Sequence, residues 1–454
     1  MSDKFKRNPK IEEILPRLKF FNDSYKGGQA YRDGRYLKKH RVESSESYNE
    51  RLKVASFRNF CAPIVDIYTA YLYRDEPTRE FGSIEKEVQL FLENADLEDR
   101  SWNKVVRELS KQASKYGMMG AIIDKPQGEV RTKADEVAQG MRPYIVPYSP
   151  MQFINYKYER INGEPVLTEL ILLEESDDCE IKKYRIWYRD KWELWEDSTS
   201  KAGGKSEITM IDNGVNNLGD IPFVLIKNRD MFKRMQGLSD IEDIVDINRR
   251  IYNMDGSADE TIERTGYPFL ELPRSSVDEG KTQIGTGNLI VRDDDEEKGA
   301  EWKEPPHTSL PKILEWREAA IEDIREMART GKISGTQIES GIALELRFQQ
   351  LNALLSEKAA NMEHAENEVF RLFALWEGKT WDGKITYPRK FGIRDLLYDL
   401  DLALKANLVV PSRTFESEQG KRLAARILKD ADQKIIDIIG KELETIPVVV
   451  DEEI

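Results

Sequence analysis

Along the chain the spacing of apolar positions changes repeatedly, and each change marks a change of predicted element. Up to about residue 117 the period is helical. In SESYNERLKVASFRNFCAPIVDIYTAYLYRDEP, Tyr48, Leu52, Phe60 and Ile64 share a helical spacing, and Pro77 is expected to stop the helix. SIEKEVQLFLENA and SWNKVVRELSKQASKYG read as two more helices, the latter with Ser101 as N-cap and Gly117 just past its end. From Met118 to about Lys227 the segments are short, rich in Ile, Tyr, Trp and Val, and separated by turn signals such as RINGEP, YRDKW and KAGGKS. They predict an antiparallel, meander-like sheet packed on the earlier helices.

The helical period then returns in long runs. Leu238, Ile241, Ile244, Ile251, Met254, Ala258 and Ile262 predict one helix of about 25 residues, in which Gly256 and Ser257 imply a close helix contact or a kink. A strand-rich insert, Thr265 to His307, holds YPFLEL, GNLIVR and AEWKEP, with the acidic turn RDDDEEKG between the last two. TSLPKILEWREAAIEDIREMART opens a second helix with Pro311 in its first turn and a stripe of Leu310, Ile313, Leu314, Ala320, Ile321, Ile324, Met327 and Ala328. The glycine- and serine-containing stretch GKISGTQIESGIALEL, Gly331 to Leu346, interrupts this pattern. Leu344, Phe348, Leu351, Leu355, Met362, Val369, Phe373 and Trp376 then hold a near-heptad rhythm, predicting a helix roughly 50 Å long that needs a neighbour throughout. The remainder, from ITYPRKFGIRDLLYDLDLALKANLVVPSRTF onward, reads as helical, with Ser412 or Thr414 as a cap. The fold class is α+β.

Composition narrows the picture. The 454 residues allow two to four domains, yet only 39% are hydrophobic and 33% are charged, so extended helices or subunit contacts are expected. The net charge of −14 argues against tight nonspecific duplex binding, which depends on many Lys/Arg–phosphate contacts. No apolar run of about 18 residues predicts a membrane span, and the N-terminal residues lack the apolar core of a signal peptide. Cys61 and Cys179 offer neither a disulfide framework nor zinc spacing. A soluble protein of cytosolic type is expected.

Catalytic motifs are not evident. VDEGKTQIG and AGGKSEI end like a phosphate loop, but Ser275 and Thr199 stand where its first glycine belongs. His40, His307 and His364 are isolated, and DDDEE at 293–297 reads as a solvated turn before it reads as a cation site. The aromatic and basic residues from Tyr184 to Trp195 are better explained by cross-strand pairs than by stacking on nucleic acid. No cofactor is implied. A metal-dependent α+β hydrolase using acidic clusters and a helical scaffold protein remain as alternatives.

The order of parts is more specific than any motif. SWNKVVRELSKQASKYGMMGAIID, RPYIVPYSPMQFINY, IPFVLIKNRDMFKRMQGLSDIEDIVDINRRIYNMDGSADETIERTGYPFLEL and SGIALELRFQQLNALLSEKAANMEHAE, followed by ITYPRKFGIRDLLYDLDLALKANLVVPSRTF, resemble portal protein segments of tailed bacteriophages, in the same order. The resemblance implies a wing at 1–235, a stem helix at 236–264, a clip at 265–307, a second stem helix at 308–330, a tunnel loop at 331–343, a long wing helix at 344–380 and a helical crown at 381–454. It further implies a non-enzymatic ring, usually a dodecamer, at the capsid portal vertex of a virion, assembled in the host cytoplasm. Double-stranded DNA would pass through it during packaging and ejection. The large terminase, a head-completion adaptor, and the major capsid and scaffolding proteins would be its partners. On that resemblance Lys332, Ser334, Thr336 and Gln337 would face DNA, although Lys332 also suits a helix C-terminus. Arg292, Asp293, Asp294, Asp295, Glu296 and Glu297 would form the clip surface on which a partner docks.

Overall fold

Helix α1 (Pro9–Lys26) starts at Asn8, whose side chain accepts the Lys10 N–H at 3.1 Å, with Pro9 placed where a missing N–H costs nothing. Helix α2 (Gly28–Asp33) follows. The single helix expected next is broken into α3 (Ser45–Val54) and α4 (Cys61–Leu72). The reason is Pro63, whose ring in a continuous helix would collide with the Asn59 carbonyl. Instead the Asn59 side chain accepts the Ala62 N–H at 2.9 Å, and the Phe60 N–H reaches Asn248 Oδ1 at 3.1 Å. Strand β1 (Thr78–Glu80) precedes α5, and only Gln89–Glu93 of SIEKEVQLFLENA forms that α-helix. In α6 (Trp102–Tyr116), Ser101 occupies the N-cap position without a side-chain capping bond, while Gly117 ends the helix at φ +88°.

The structure is a computed structural model that describes residues 3–126, 140–176, 181–197, 208–265, 269–273, 289–292, 301–303, 310–329 and 341–391, with short stretches between 414 and 442. The chain divides into two units, Met1–Phe391 and Gly392–Ile454. Within the first unit the strand-rich region forms two sheets rather than one. The strands are β2 (Met118–Asp124), β3 (Tyr144–Tyr148), β4 (Phe153–Ile161), β5 (Glu164–Glu174), β6 (Lys182–Tyr188), β7 (Lys191–Asp197), β8 (Ile208–Val215) and β9 (Phe223–Lys227). Strands β4 to β8 make the expected antiparallel meander in chain order, whereas β2 lies between β3 and β9 in a separate antiparallel sheet. Six of the seven β2 residues are buried, which is why MMGAIID reads as an apolar run without alternation. In the meander Tyr184 pairs with Trp195 and Trp187 with Trp192, so these aromatics are cross-strand packing.

Helix α7 (Ile244–Thr265) comes next, then β10 (Phe269–Pro273), β11 (Leu289–Arg292), β12 (Glu301–Lys303), helices α8 (Leu310–Met327) and α9 (Gly341–Trp376), and β13 (Lys384–Thr386). The segment from Leu238 to Asp243, read above as helix, is turn. Asn228 Nδ2 donates to Leu238 O at 2.9 Å and the Ile241 N–H donates to Ser239 Oγ at 3.1 Å, so side chains take the bonds a helix would use. Strand β13 pairs with β1, so ITYPRK opens as strand instead of helix.

Helix α9 runs through the middle of the core, burying Leu351, Leu355, Ala359, Met362, Val369, Phe370 and Phe373. Two buried polar side chains on it bind distant parts of the chain. The Lys358 ammonium bonds the Asp240 carboxylate and donates to Ser114 Oγ at 3.2 Å, and Ser114 Oγ itself donates to Asp240. Arg229 Nε stands 3.7 Å from the other Asp240 oxygen. Burial pulls the Lys358 pKa down, and the Asp240 charge opposes that shift. Glu366 accepts Arg79 Nε at 2.5 Å, Trp102 Nε1 at 2.5 Å and the Tyr387 hydroxyl at 2.7 Å. Beside Asp240 two backbones touch directly, since a Cβ on Gly117 would lie 2.3 Å from Gly237 O.

Lys358→Met leaves a buried carboxylate without its cation, which costs about 3–5 kcal/mol. The expected result is a large drop in the denaturant midpoint for that variant, most of it recovered by Lys358→Met/Asp240→Leu. Equal midpoints for Lys358→Met and the unaltered chain would contradict the pairing.

Candidate functional site

Helices α7 and α8 form a rod. In the small sheet at its end, β10 is central, parallel to β11 and antiparallel to β12, and Phe269 pairs with Lys303. That pairing draws the C-terminus of α7 and the N-terminus of α8 together, so the two helices run antiparallel. Arg317 Nη1 of α8 reaches Asp255 Oδ1 of α7 at 3.4 Å across their contact.

The root of the rod is held by the N-terminal helices. Arg17 bonds Asp246 at 2.7 Å and Glu242 at 3.1 Å, and Asn248 Nδ2 donates to Arg58 O at 2.9 Å. Ile244, Val245, Ile251, Tyr252 and Ala258 bury one stripe of α7. Gly256 is a close-approach site, but to the segment between α2 and α3 and not to the packed helix expected from sequence, because a Cβ there would meet Leu37 Cδ1 at 3.0 Å. Further along, Glu43 takes two bonds from Arg51, at 2.9 and 2.8 Å, and the His40 ring lies 3.1 Å from Glu260 of α7. Bonding to Arg51 depresses the Glu43 pKa to about 2.

On α8 the buried stripe is narrower than the apolar pattern suggested. Ala320, Ile321, Ile324 and Ala328 are buried, and the Tyr68 hydroxyl donates to Ala328 O. Leu314 and Met327 are exposed, at 36% and 43%, because both fall off the face that meets α7. Trp316 is 62% exposed and lies under the Arg250 guanidinium at 5.8 Å. With Lys38, Asn253, Met254 and Lys312 these two residues line an open groove of about 630 Å³ between the helices. Lys38, Arg250 and Lys312 make it basic. Away from the groove Glu318 and Glu322 are exposed, while the exposed Glu315 and Glu326 fall within about 60° of Lys312 around the helix.

Of the residues chosen from sequence only Arg292 is among the described residues. Lys332, Ser334, Thr336 and Gln337 lie outside the described residues, as do Asp293, Asp294, Asp295, Glu296 and Glu297. Arg292 ends β11, in register with Pro273. The groove escaped sequence reasoning because Lys38 and Arg250 are far from Lys312 in the chain. The usable signal was the interval of four between Lys312 and Trp316, off the apolar stripe. Among the described residues no group of three His, Cys, Asp or Glu side chains is placed to hold a metal, and no described helix is long and apolar enough to cross a membrane.

The sequence matches a family model described as phage portal protein, SPP1 Gp6-like, over residues 5–409. No curated protein matches it. Among solved structures, a chain of the neck of an empty gene transfer agent particle, computed with C6 symmetry, is 12% identical. It pairs 88% of this chain with 94% of its own at a TM-score of 0.42. A chain of the virion of the native gene transfer agent particle is 13% identical, over 83% of this chain and 88% of its own, with a TM-score of 0.39. Both superpositions are too loose to carry an argument.

The Glu43–Arg51 bond makes stability depend on pH. Its carboxyl is depressed from 4.5 to about 2, so the unfolded chain binds more protons between those values, and stability falls as pH drops through that window. Glu43→Gln is expected to lower the melting midpoint at pH 7 by roughly 2–4 °C, with the difference closing as the pH nears 2. A difference that persists at pH 2 would count against the bond as its source.

Proposed function

We propose that this chain, which belongs to the SPP1 Gp6-like phage portal protein family, closes with identical copies into a ring at one vertex of a capsid. The ring, a dodecamer, is the channel for genomic DNA during packaging and ejection. It works as a conduit and docking platform without a catalytic step of its own, in a virion assembled in the host cytoplasm. The family match over residues 5–409 is the observation that carries this reading.

In this reading α7 and α8 are the stem, the β10–β12 sheet is the clip, residues 331–343 are the tunnel loop, α9 is the long wing helix and 381–454 form the crown. The physical support lies in the rod. Its two helices bury one stripe each and leave charged faces on the outside. A subunit with exposed Leu314, Trp316 and Met327 has apolar surface left for a neighbour, as a ring closed by rotation allows. A net charge of −14 suits weak, sliding contact with DNA, because each neutralised phosphate is a contact to be released at the next step. Lys332, Ser334, Thr336 and Gln337 would touch the duplex. The clip turn, from Arg292 through Glu297, would present carboxylates to the terminase motor and then to the head-completion adaptor, while capsid and scaffolding proteins surround the wing.

Native mass measurement with negative-stain imaging is expected to give rings with a central hole, and a stable monomer at all concentrations would refute the reading. Lys332→Glu should leave the rings intact and cut packaged DNA several-fold, whereas an unchanged genome content would remove the loop from the DNA path. Reversing the charges from Asp293 to Glu297 should weaken capture of terminase or adaptor more than it weakens ring formation. Undiminished pull-down of both would end the docking role.

A further inference from the structure

Helical phase puts two unlike surfaces on different sides of α8. Residues two apart on an α-helix point about 200° away from each other. Lys312 and Trp316 therefore face one way, and Leu314 and Glu318 face the other. Glu322, one turn beyond Glu318, continues the second surface. The first surface gains Lys38 and Arg250 from the groove wall, so it is basic around an exposed indole. The second is acidic around an exposed leucine.

The basic surface is not satisfied among the described residues. Among the described residues no carboxylate forms an ion pair with Lys38, Arg250 or Lys312, and the Arg250 guanidinium rests only on the Trp316 ring. On the other surface, Glu318 takes Arg317 Nη2 at 2.9 Å and Glu322 takes Arg325 Nη1 at 3.1 Å, yet both carboxylates stay about half exposed and can accept further donors.

We infer that the groove of Lys38, Arg250, Lys312 and Trp316 receives the Leu314, Glu318 and Glu322 face of α8 from a second copy of this chain. The inference rests on the ring reading above and names which faces meet in it. Trp316 packs on the neighbour's Leu314, and the three cations meet its two carboxylates. Because the two surfaces are different and lie on different sides of one helix, the contact is heterologous. Each copy offers its groove to one neighbour and its acidic face to the next, which is the arrangement a closed ring requires. Charge matching of this kind sets register and rejects wrong partners.

A charge exchange in the full-length chain tests this. One variant carries Arg250→Glu/Lys312→Glu, and the other carries Glu318→Lys/Glu322→Lys. Each is first checked for the parent's circular dichroism, and Glu318→Gln/Glu322→Gln replaces the lysine pair if that variant does not fold, with an intermediate loss of rings then expected. At about 0.1 M salt each variant alone should lose at least tenfold in ring fraction by native mass measurement. An equimolar mixture of the two exchanged variants should recover rings in which they alternate, since every groove then meets a face of opposite charge. Rings formed by either variant alone as readily as by the parent overturn the pairing and leave the ring reading standing. So does intact assembly of the groove variant with lost retention of duplex DNA, which would give the groove to phosphate. Failure of folded variants to recover on mixing also overturns it. If the unaltered chain forms no rings, the ring reading falls, and this pairing falls with it.

Discussion

The bond between Lys358 and Asp240 fixes how the rest of the first unit is arranged. It joins three pieces of chain that are far apart in sequence: the end of α6 through Ser114, the turn that leads into α7, and the middle of α9. Removing two charges from water is costly, and the cost is offset only if every oxygen and hydrogen finds a partner. Ser114 supplies one, while Asp240 Oδ1 is left with the Arg229 charge at 3.7 Å and no hydrogen bond. The reward is specificity of position. A purely apolar contact here would let α9 slide by a turn against the root of the rod at little loss, whereas a buried pair has a single geometry. Glu366, eight residues on, repeats the device with three donors drawn from β1, α6 and the segment after β13.

Much of the architecture was readable because it follows from periodicity. The long helices, the meander and the short strands of the insert all showed in their spacing, and Gly117 had the role its position implied. What could not be read depends on partners distant in the chain. The break between α3 and α4 follows from Pro63 locally, but the end that α4 finds is supplied by Asn248, nearly two hundred residues away. Strand β13 is too short to be distinguished from a loop until β1 stands beside it. Leu314 and Met327 matched the apolar stripe in spacing, yet the width of that stripe is set by how α7 lies against it. The tunnel-loop residues and Asp293 to Glu297 of the clip turn fall outside the described residues, and their roles rest on the order of the parts.

The charge of the chain is segregated more than its total implies. A protein with a net charge of −14 carries a basic groove on one side of the rod and an acidic face on another. The same separation explains why composition was a poor guide to partners. Summed charge speaks to nonspecific attraction for a polyanion, but the arrangement of charge on a helix decides whether a copy of the same chain is attracted.

Gly117 and Gly237 meet where the rod leaves the body of the fold, backbone against backbone, with no side chain between them. Side chains absorb small displacements by changing rotamer; a pair of peptide planes cannot. An added methyl group at either glycine would therefore have to push the end of α6 away from the turn before α7, and the Ser114, Lys358 and Asp240 contacts beside it would be the first to part.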